Sequence, residues 1–256
     1  MKMMKSYIVC GFLFFTKMSF AAYVTSADEN LLAAVEQGNV QLVQKALNAR
    51  ADVNARGKDD RTALMVAAKK GNPEVARLLL ERGAKVDATS KGNTALIQAV
   101  FSGNIEVAKL LIDKRANVNA KGTAGYTALI LAVNKNRPDI VHLLLQRGAD
   151  IDARNEAGIT ALIEAVWLGD SDMVRLLLDR GADANVHDES GTTVLMKAAT
   201  EGHAEVVRLL LNKKADVRAS NKAGQTALDL AKNKQVKKVL RDFIDKLDKK
   251  KFELAS

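Results

Sequence analysis

A short triplet, Thr followed by Ala or Val and then Leu, recurs six times in this 256-residue chain. The triplets start at these threonines: Thr62, Thr94, Thr127, Thr160, Thr193 and Thr226. The first spacing is 32 residues and the next four are 33. A period of this size indicates a stack of supersecondary units, each of which buries its apolar face against its neighbours. We therefore expect one elongated array in which stacking explains most of the residues.

Each unit carries signals for two short helices. The threonine can cap the first helix, and the leucine two residues later begins its buried stripe. The residues expected to end that helix in a left-handed conformation are Gly38, Gly71, Gly103, Gly169 and Gly202, with Asn136 in the remaining unit. The turn after the second helix has glycine in three units, but Arg50, Arg115 or Lys214 in the other three. A left-handed conformation there would cost about 1 kcal/mol for each non-glycine residue.

The repeated pattern resembles the ankyrin repeat, through matches such as Ala67-Ala68, Leu78-Leu79-Leu80, Leu143-Leu144-Leu145 and Gly148-Ala149-Asp150. The resemblance runs from residue 28 to about residue 247. It implies an all-α ankyrin-repeat solenoid of helix-turn-helix pairs with β-hairpin-like loops, in about six to seven repeats including caps. The histidine of the family pattern is replaced by Met65, Ile97, Ile130, Ile163, Met196 and Asp229. We expect apolar packing to substitute for the hydrogen bonds that this histidine makes between units.

The first 21 residues have the features of a secretory signal peptide. Two lysines lie within the first five residues, an apolar run follows at 7–16, and small residues precede a possible cleavage site after Ala21. The apolar run is about half of the ~20 residues that a membrane-spanning helix needs. A permanent anchor is the alternative, but we expect no stable membrane anchor after cleavage. The chain's single cysteine, Cys10, lies in this segment. We expect a periplasmic protein, with secretion as the alternative.

The pattern divides the chain into ten segments. They are a signal peptide at 1–21, a short linker at 22–27, an N-terminal capping repeat at 28–56, repeats at 57–88, 89–121, 122–154, 155–187 and 188–220, a C-terminal capping repeat at 221–247, and a basic tail at 248–256. Polar residues at both ends, Lys45 and Asp242, replace the leucine of the second helix. The final helix has an apolar stripe formed by Val236, Val239, Leu240, Phe243, Ile244 and Leu247.

No catalytic constellation is found in the sequence. The histidines His142, His187 and His203 fall in three different parts of the repeat and lack metal-ligand spacing. The segment from Asp52 to Gly57 opens like a calcium loop but lacks the later glutamate of such a loop. We therefore predict no enzymatic activity, no cofactor and no metal. A hydrolase or metal enzyme with an unrecognised site is the alternative.

The positive charge of the chain is concentrated near its C-terminus. The formal net charge is +9, and residues 232–256 hold nine Lys/Arg against four Asp/Glu. An array that binds a polyanion would be basic along its length or along one face. We therefore predict no nucleic-acid binding and interpret the lysine-rich tail as a solvated face.

Binding of another protein is the remaining function. In ankyrin-like arrays the hairpin tips and the exposed side of the first helix line a concave groove. Phe101, Asn134 and Trp167 occupy equivalent positions one period apart, as Tyr126 and Ile159 do on adjacent hairpins. Apolar and aromatic residues exposed among polar ones are typical of interaction hot spots. The predicted partner-binding residues are Phe101, Tyr126, Asn134, Ile159, Trp167 and Leu168. The alternative is that the rings fold back as ordinary packing.

We therefore expect a non-enzymatic module, most simply a monomer, that holds a protein partner in its groove. A secreted effector that binds a host protein is the alternative.

Overall fold

The computed structural model of the protein describes residues 26–253, and the predicted signal peptide lies outside this range. The described part contains fourteen α-helices, joined by turns and loops without an extended sheet. They are α1 Ala27–Glu36, α2 Val40–Asn48, α3 Ala63–Lys70, α4 Pro73–Glu81, α5 Ala95–Ser102, α6 Ile105–Asp113, α7 Ala128–Asn134, α8 Pro138–Gln146, α9 Ala161–Leu168, α10 Ser171–Asp179, α11 Val194–Glu201, α12 Ala204–Asn212, α13 Ala227–Leu230 and α14 Lys234–Glu253. A 3-10 turn, Thr123–Gly125, precedes α7.

The helices form two rows. The odd-numbered helices, from α1 to α13, are the first helices of the units, and each packs against the next one in the row. The even-numbered helices form the second row, in which α2 to α8 pack in sequence, as do α10, α12 and α14. Neighbouring units thus pack through their first helices at every junction and through their second helices at every junction but that of α8 and α10, which confirms the predicted solenoid. The unit boundaries themselves stay a prediction.

The helix signals in the sequence act as predicted. In each of the six units the threonine hydroxyl accepts a hydrogen bond from the backbone N–H three residues later, as from Ile130 to Thr127 Oγ1 at 3.3 Å. The five glycines that follow the first helices have φ between 68° and 82°, and Asn136 has φ 49°. The chain therefore turns at the same point in the first six units, whereas the last unit leaves its first helix through an extended Ala231.

Apolar packing does replace the family's histidine in five of six units. Met65, Ile97, Ile130, Ile163 and Met196 are at most 5% exposed. Hydrogen bonds between units are nevertheless present at a different place, which the sequence analysis did not anticipate. The side-chain amides of Asn72, Asn104 and Asn233 donate to carbonyls at the end of the preceding first helix, at 3.1, 2.8 and 3.1 Å.

The C-terminal helix α14 covers the end of the stack over its first three turns. Val236 and Leu240 are fully buried, and Phe243 and Ile244 are partly buried against the core. Leu247 is 40% exposed, so the predicted stripe was wrong at this residue. With twenty residues, α14 is much longer than the nine-residue α12 on which it packs, and its last turns extend past the stack. Within residues 26–253, no helix is both long and apolar enough to span a bilayer.

The basic residues at the turn after the second helix adopt the strained conformation that their position requires. Arg50, Arg115 and Lys214 have φ values of 66°, 65° and 64°. In the three other units Gly83, Gly148 and Gly181 occupy this place with φ between 81° and 93°. The array thus keeps one turn geometry in all units, at a conformational cost in three of them.

Replacement of Arg115 by glycine is expected to stabilise the protein. The change relieves the positive φ and should raise the free energy of unfolding by about 1 kcal/mol and the melting temperature by about 2–4 °C. Lys114, the preceding residue, has φ −90°. There glycine adds only flexibility to the unfolded chain, so Lys114→Gly should lower the melting temperature. Thermal unfolding followed by circular dichroism measures both, and a lower or unchanged value for Arg115→Gly would contradict the expectation.

Candidate binding surface

The candidate surface, called here the first-helix surface, consists of the hairpin residue before each capping threonine and the exposed positions seven and eight residues after it. Short antiparallel bridges close three of the hairpins, at Arg56 with Thr62, Lys121 with Thr127, and His187 with Thr193. The third unit differs, because Ser90 pairs with Asn93 across a two-residue turn. Its central residues, Lys91 and Gly92, both have positive φ, at 48° and 83°. This is the tight hairpin turn that matches the twist of paired strands.

Three of the predicted residues are exposed apolar side chains. Phe101 is 53% exposed, Trp167 43% and Leu168 51%. Phe101 is the last residue but one of α5, and Trp167 and Leu168 are the last two residues of α9. The rings therefore do not fold back into the core. Each residue keeps about half of its surface exposed, and a neighbouring lysine lies over each ring.

Tyr126 and Ile159 are placed differently. Both lie immediately before a capping threonine, as predicted, but both are half-buried and pack against the core. Packing against the core therefore covers part of each side chain. Only the remaining part of each side chain is available on the first-helix surface.

A fixed register joins the predicted row of residues to the next unit. The residue seven after a capping threonine meets the residue four after the threonine in the following unit. Phe101 and Leu131 line one pocket. The Asn134 side-chain amide donates to Glu164 Oε1 at 2.6 Å. The Trp167 ring lies 5.1 Å from Lys197 Nζ. The predicted row is thus a continuous strip. Its contacts between units are apolar at Phe101, polar at Asn134 and cation–π at Trp167.

Glu164 was missed by the sequence analysis. It is 6% exposed and is the only ionisable side chain among the buried residues of the described range. The other units have Val66, Gln98, Leu131, Lys197 and Leu230 at this position. An acidic residue in a column that is mostly apolar was the available signal. Its hydrogen bond to Asn134 fixes the orientation of that amide within the strip.

Two lysines cover the exposed rings, and these contacts were not predicted. Lys135 Nζ lies 4.9 Å from the centroid of the Phe101 ring, and Lys197 covers Trp167 in the same way. Both distances suit cation–π attraction. Lys197 additionally forms an ion pair with Asp188 at 2.9 Å, whereas no carboxylate within residues 26–253 pairs with Lys135. Lys135 therefore keeps an uncompensated charge beside an exposed ring.

Asp188 holds Lys197 in place through a strongly acidic carboxyl. Burial alone would raise the pKa of Asp188. Hydrogen bonds from the Ser190 hydroxyl, the Lys197 ammonium and the Thr192 N–H outweigh this effect and lower the pKa from 3.8 to about 2. The folded state therefore favours the ionised carboxylate. Its contribution to stability is fully present above the pKa of the unfolded chain and disappears as the pH falls through about 2.

Asp188→Asn is expected to lower the free energy of unfolding by about 1–2 kcal/mol at pH 7 and by much less near pH 2. The physical reason is that asparagine removes the charge whose ionisation folding favours. Urea unfolding at a series of pH values measures the difference. Glu189→Gln, which removes the exposed carboxylate next to it, serves as the control. An equal loss of stability at pH 7 and pH 2 would contradict the expectation.

A pocket of about 430 Å³ opens on the first-helix surface between the third and fourth units. Its lining residues are Asn93, Ile97, Gln98, Phe101, Thr123, Ala124, Tyr126, Leu131 and Asn134. It thus brings together three of the six predicted site residues, while Ile159, Trp167 and Leu168 lie outside it. The short hairpin of the third unit forms one rim and the 3-10 turn of the fourth unit the other. One rim of the pocket is therefore the hairpin that the single 32-residue spacing shortens. The sequence analysis noted this spacing but did not connect it with a site.

The three histidines lie far apart in separate surroundings. Arg180 Nη2 lies 2.7 Å from His142 Nδ1, and His187 Nδ1 lies 2.9 Å from the carbonyl oxygen of Asp188. His203 begins α12. In the part of the chain that the structure describes, no group of three or more His, Cys, Asp or Glu residues could hold a metal ion.

Comparison with known proteins gives consistent results across sequence and structure. The family profile described as ankyrin repeats (3 copies) matches residues 31–122, 120–188 and 162–250. The crystal structure of the ankyrin repeat domain of Bcl-3, a member of the IkappaB protein family, is similar with a TM-score of 0.79 and 33% identity, over 83% of this chain and 97% of that chain. The human ASB11 ankyrin repeat domain gives a TM-score of 0.71 and 27% identity, over 83% and 96%.

Among curated proteins, the ankyrin repeat and KH domain-containing protein mask-1 of Caenorhabditis elegans is 43% identical over 63 residues. This match covers 25% of the present chain and 2% of mask-1. The chain therefore corresponds to a small part of that much longer relative.

Proposed function

The chain belongs to the ankyrin repeat family, whose domains are generally protein–protein interaction modules, and we propose from this that it binds a protein partner on its first-helix surface without catalysing a reaction. The observation that carries the proposal is the exposure of Phe101, Trp167 and Leu168. These side chains lie on the first helices α5 and α9, which flank α7 in the row, and stacking leaves them exposed. Large apolar groups of this kind are costly to expose and dominate binding energy where a partner covers them.

The polar residues around these side chains support the same function. Lys135 and Lys197 extend over the rings and surround them with charge. An apolar centre with a polar rim is the usual arrangement of a protein-binding patch. Buried Glu164 holds Asn134 between the two rings, which makes the strip rigid before a partner arrives. A rigid surface loses less conformational entropy when it binds.

Site-specific photo-crosslinking tests the proposal. A benzophenone side chain is introduced at Ser102, beside Phe101 on the first-helix surface, and in a matched variant at Lys109, an exposed residue of α6 in the second row. Both variants are irradiated in the native cells. We expect one protein to be crosslinked reproducibly at Ser102 and not at Lys109. Equal crosslinking at both positions, or none at Ser102, would contradict binding on this surface.

We also propose that the protein acts as a monomer in an exported compartment, the periplasm of a bacterium. The support is the signal-like segment at 1–21. Cell fractionation with N-terminal sequencing of the product tests this. We expect a shortened chain in the periplasmic fraction. Recovery of the shortened chain in the medium would instead support a secreted effector, and a full-length cytoplasmic chain would contradict export.

A further inference from the structure

Resting on the proposed function, we infer that the pocket beside Phe101 receives a large apolar side chain from an acidic segment of the partner, and that Lys135 pairs with a carboxylate of that segment. The occupant is thus a protein segment in which an aromatic or aliphatic residue is flanked by Asp or Glu. The inference concerns only the seam between the third and fourth units. It adds the chemistry of the partner to the proposed surface.

The pocket has the size and lining expected of a side-chain receptor. About 430 Å³ accommodates a single large side chain and part of its backbone, but is at the lower end for a small-molecule site. Ile97 and Leu131 form its floor and are mostly covered, whereas Phe101 forms an exposed wall. An apolar side chain entering between them removes the exposed face of the Phe101 ring from water.

Polar groups at the rim are positioned to contact the backbone of such a segment. The side chain of Asn93 already has partners within the protein. Its Nδ2 donates to Thr123 Oγ1 at 2.9 Å, and its Oδ1 accepts from the Thr123 N–H at 3.2 Å. Gln98 is half-buried in the lining, and its side-chain amide forms no hydrogen bond within residues 26–253. Its amide can both donate and accept, as a peptide backbone requires. The pocket thus combines an apolar cavity with one amide that is free to orient a chain.

The charges around the pocket favour an acidic segment. Lys135 is held over Phe101 without a carboxylate partner. Lys69 occupies in the second unit the position that Phe101 has in the third, and it also forms no ion pair within residues 26–253. The buried carboxylate of Glu164 accepts a hydrogen bond from the Asn134 amide and forms no ion pair with either lysine. Glu156, on the next hairpin, donates its N–H to the Ala124 carbonyl at 3.1 Å but does not line the pocket. A carboxylate of the partner is therefore attracted to the side of Phe101 that Lys135 covers.

Selection from a library of random nonapeptides displayed on phage, against the purified full chain, tests the inference. We expect the selected peptides to contain a Phe, Leu or Trp with Asp or Glu within two positions. The affinity of a synthetic peptide of this sequence is then measured by fluorescence anisotropy. Phe101→Ala should weaken it by about thirtyfold and Lys135→Glu by about tenfold or more. Changing the peptide's acidic residues to lysine should restore binding to the Lys135→Glu variant.

Matched controls lie outside the pocket. Phe252, 78% exposed near the end of α14, and Lys222, exposed on the last hairpin, are changed to Ala and Glu, and neither should alter the affinity. Circular dichroism verifies that every variant is folded. Peptides that lose binding with Trp167→Ala but not with Phe101→Ala or Lys135→Glu would overturn the inference and leave the proposed function standing. The same holds for peptides without an acidic preference. Failure to select any peptide that depends on the first-helix surface, together with failure of the crosslinking, would overturn both.

Discussion

Leu144→Ala is expected to lower the free energy of unfolding by about 2–5 kcal/mol. Leu144 is completely buried in α8, in the middle of the stack, where the helix packs on both α6 and α7. Removing three carbon atoms loses their transfer free energy and leaves a cavity that the surrounding helices fill only in part. Urea unfolding gives the magnitude. Leu168→Ala, at a leucine that is 51% exposed, should cost less than about 0.5 kcal/mol and serves as the control.

The position of Leu144 also determines how unfolding proceeds. Stability in a solenoid is approximately the sum of each unit's own term and the interfaces with its neighbours. A defect in a central unit therefore weakens the link between the two halves, and we expect a broader transition with a smaller denaturant slope. Leu240→Ala is equally buried but lies in the last helix, where it should loosen only one end. A sharp transition for Leu144→Ala with an unchanged slope would indicate that the halves remain fully coupled.

Trp167→Ala is expected to weaken binding of the crosslinked partner by about thirtyfold or more, which corresponds to the loss of at least about 2 kcal/mol. Trp167 is 43% exposed, and Lys197 lies over its ring. The melting temperature should therefore change little. Titration calorimetry with the partner and thermal unfolding provide the two measurements. A large loss of stability with unchanged affinity would mean that the ring serves packing after all, and Phe252→Ala provides the matched aromatic control.

The regular part of the fold could be predicted from the sequence because it depends on local rules repeated in every unit. The capping threonine and the glycine that ends each first helix act within one turn of the backbone. For this reason even Asn136, which replaces the glycine in the fourth unit, has the predicted left-handed conformation. The buried replacements of the family's histidine follow from the same periodicity. Local chemistry together with a fixed period therefore specifies this backbone.

The contacts of the candidate site could be predicted only in part, because they join side chains from different units. The period placed Phe101 and Trp167 on one strip, but it contains no information about which neighbour covers each ring. Lys135 and Lys197 reach them through long side chains whose rotamers depend on the adjacent helix. Burial of Glu164 likewise depends on the Asn134 amide from the preceding unit. The exposure of Leu247 likewise depends on how much longer α14 is than α12, the helix on which it packs.

The two-residue hairpin at Lys91 and Gly92 has a consequence for how such a protein acquires new specificity. It is one residue shorter than its counterparts, yet the helices on either side of it, α3 and α5, pack like those elsewhere in the array. Because hairpin tips lie outside the stacked layers, loss of a single codon there remodels the binding face without a penalty to the interior. Repertoire diversity in this scaffold can thus evolve through small insertions and deletions as readily as through amino-acid replacement.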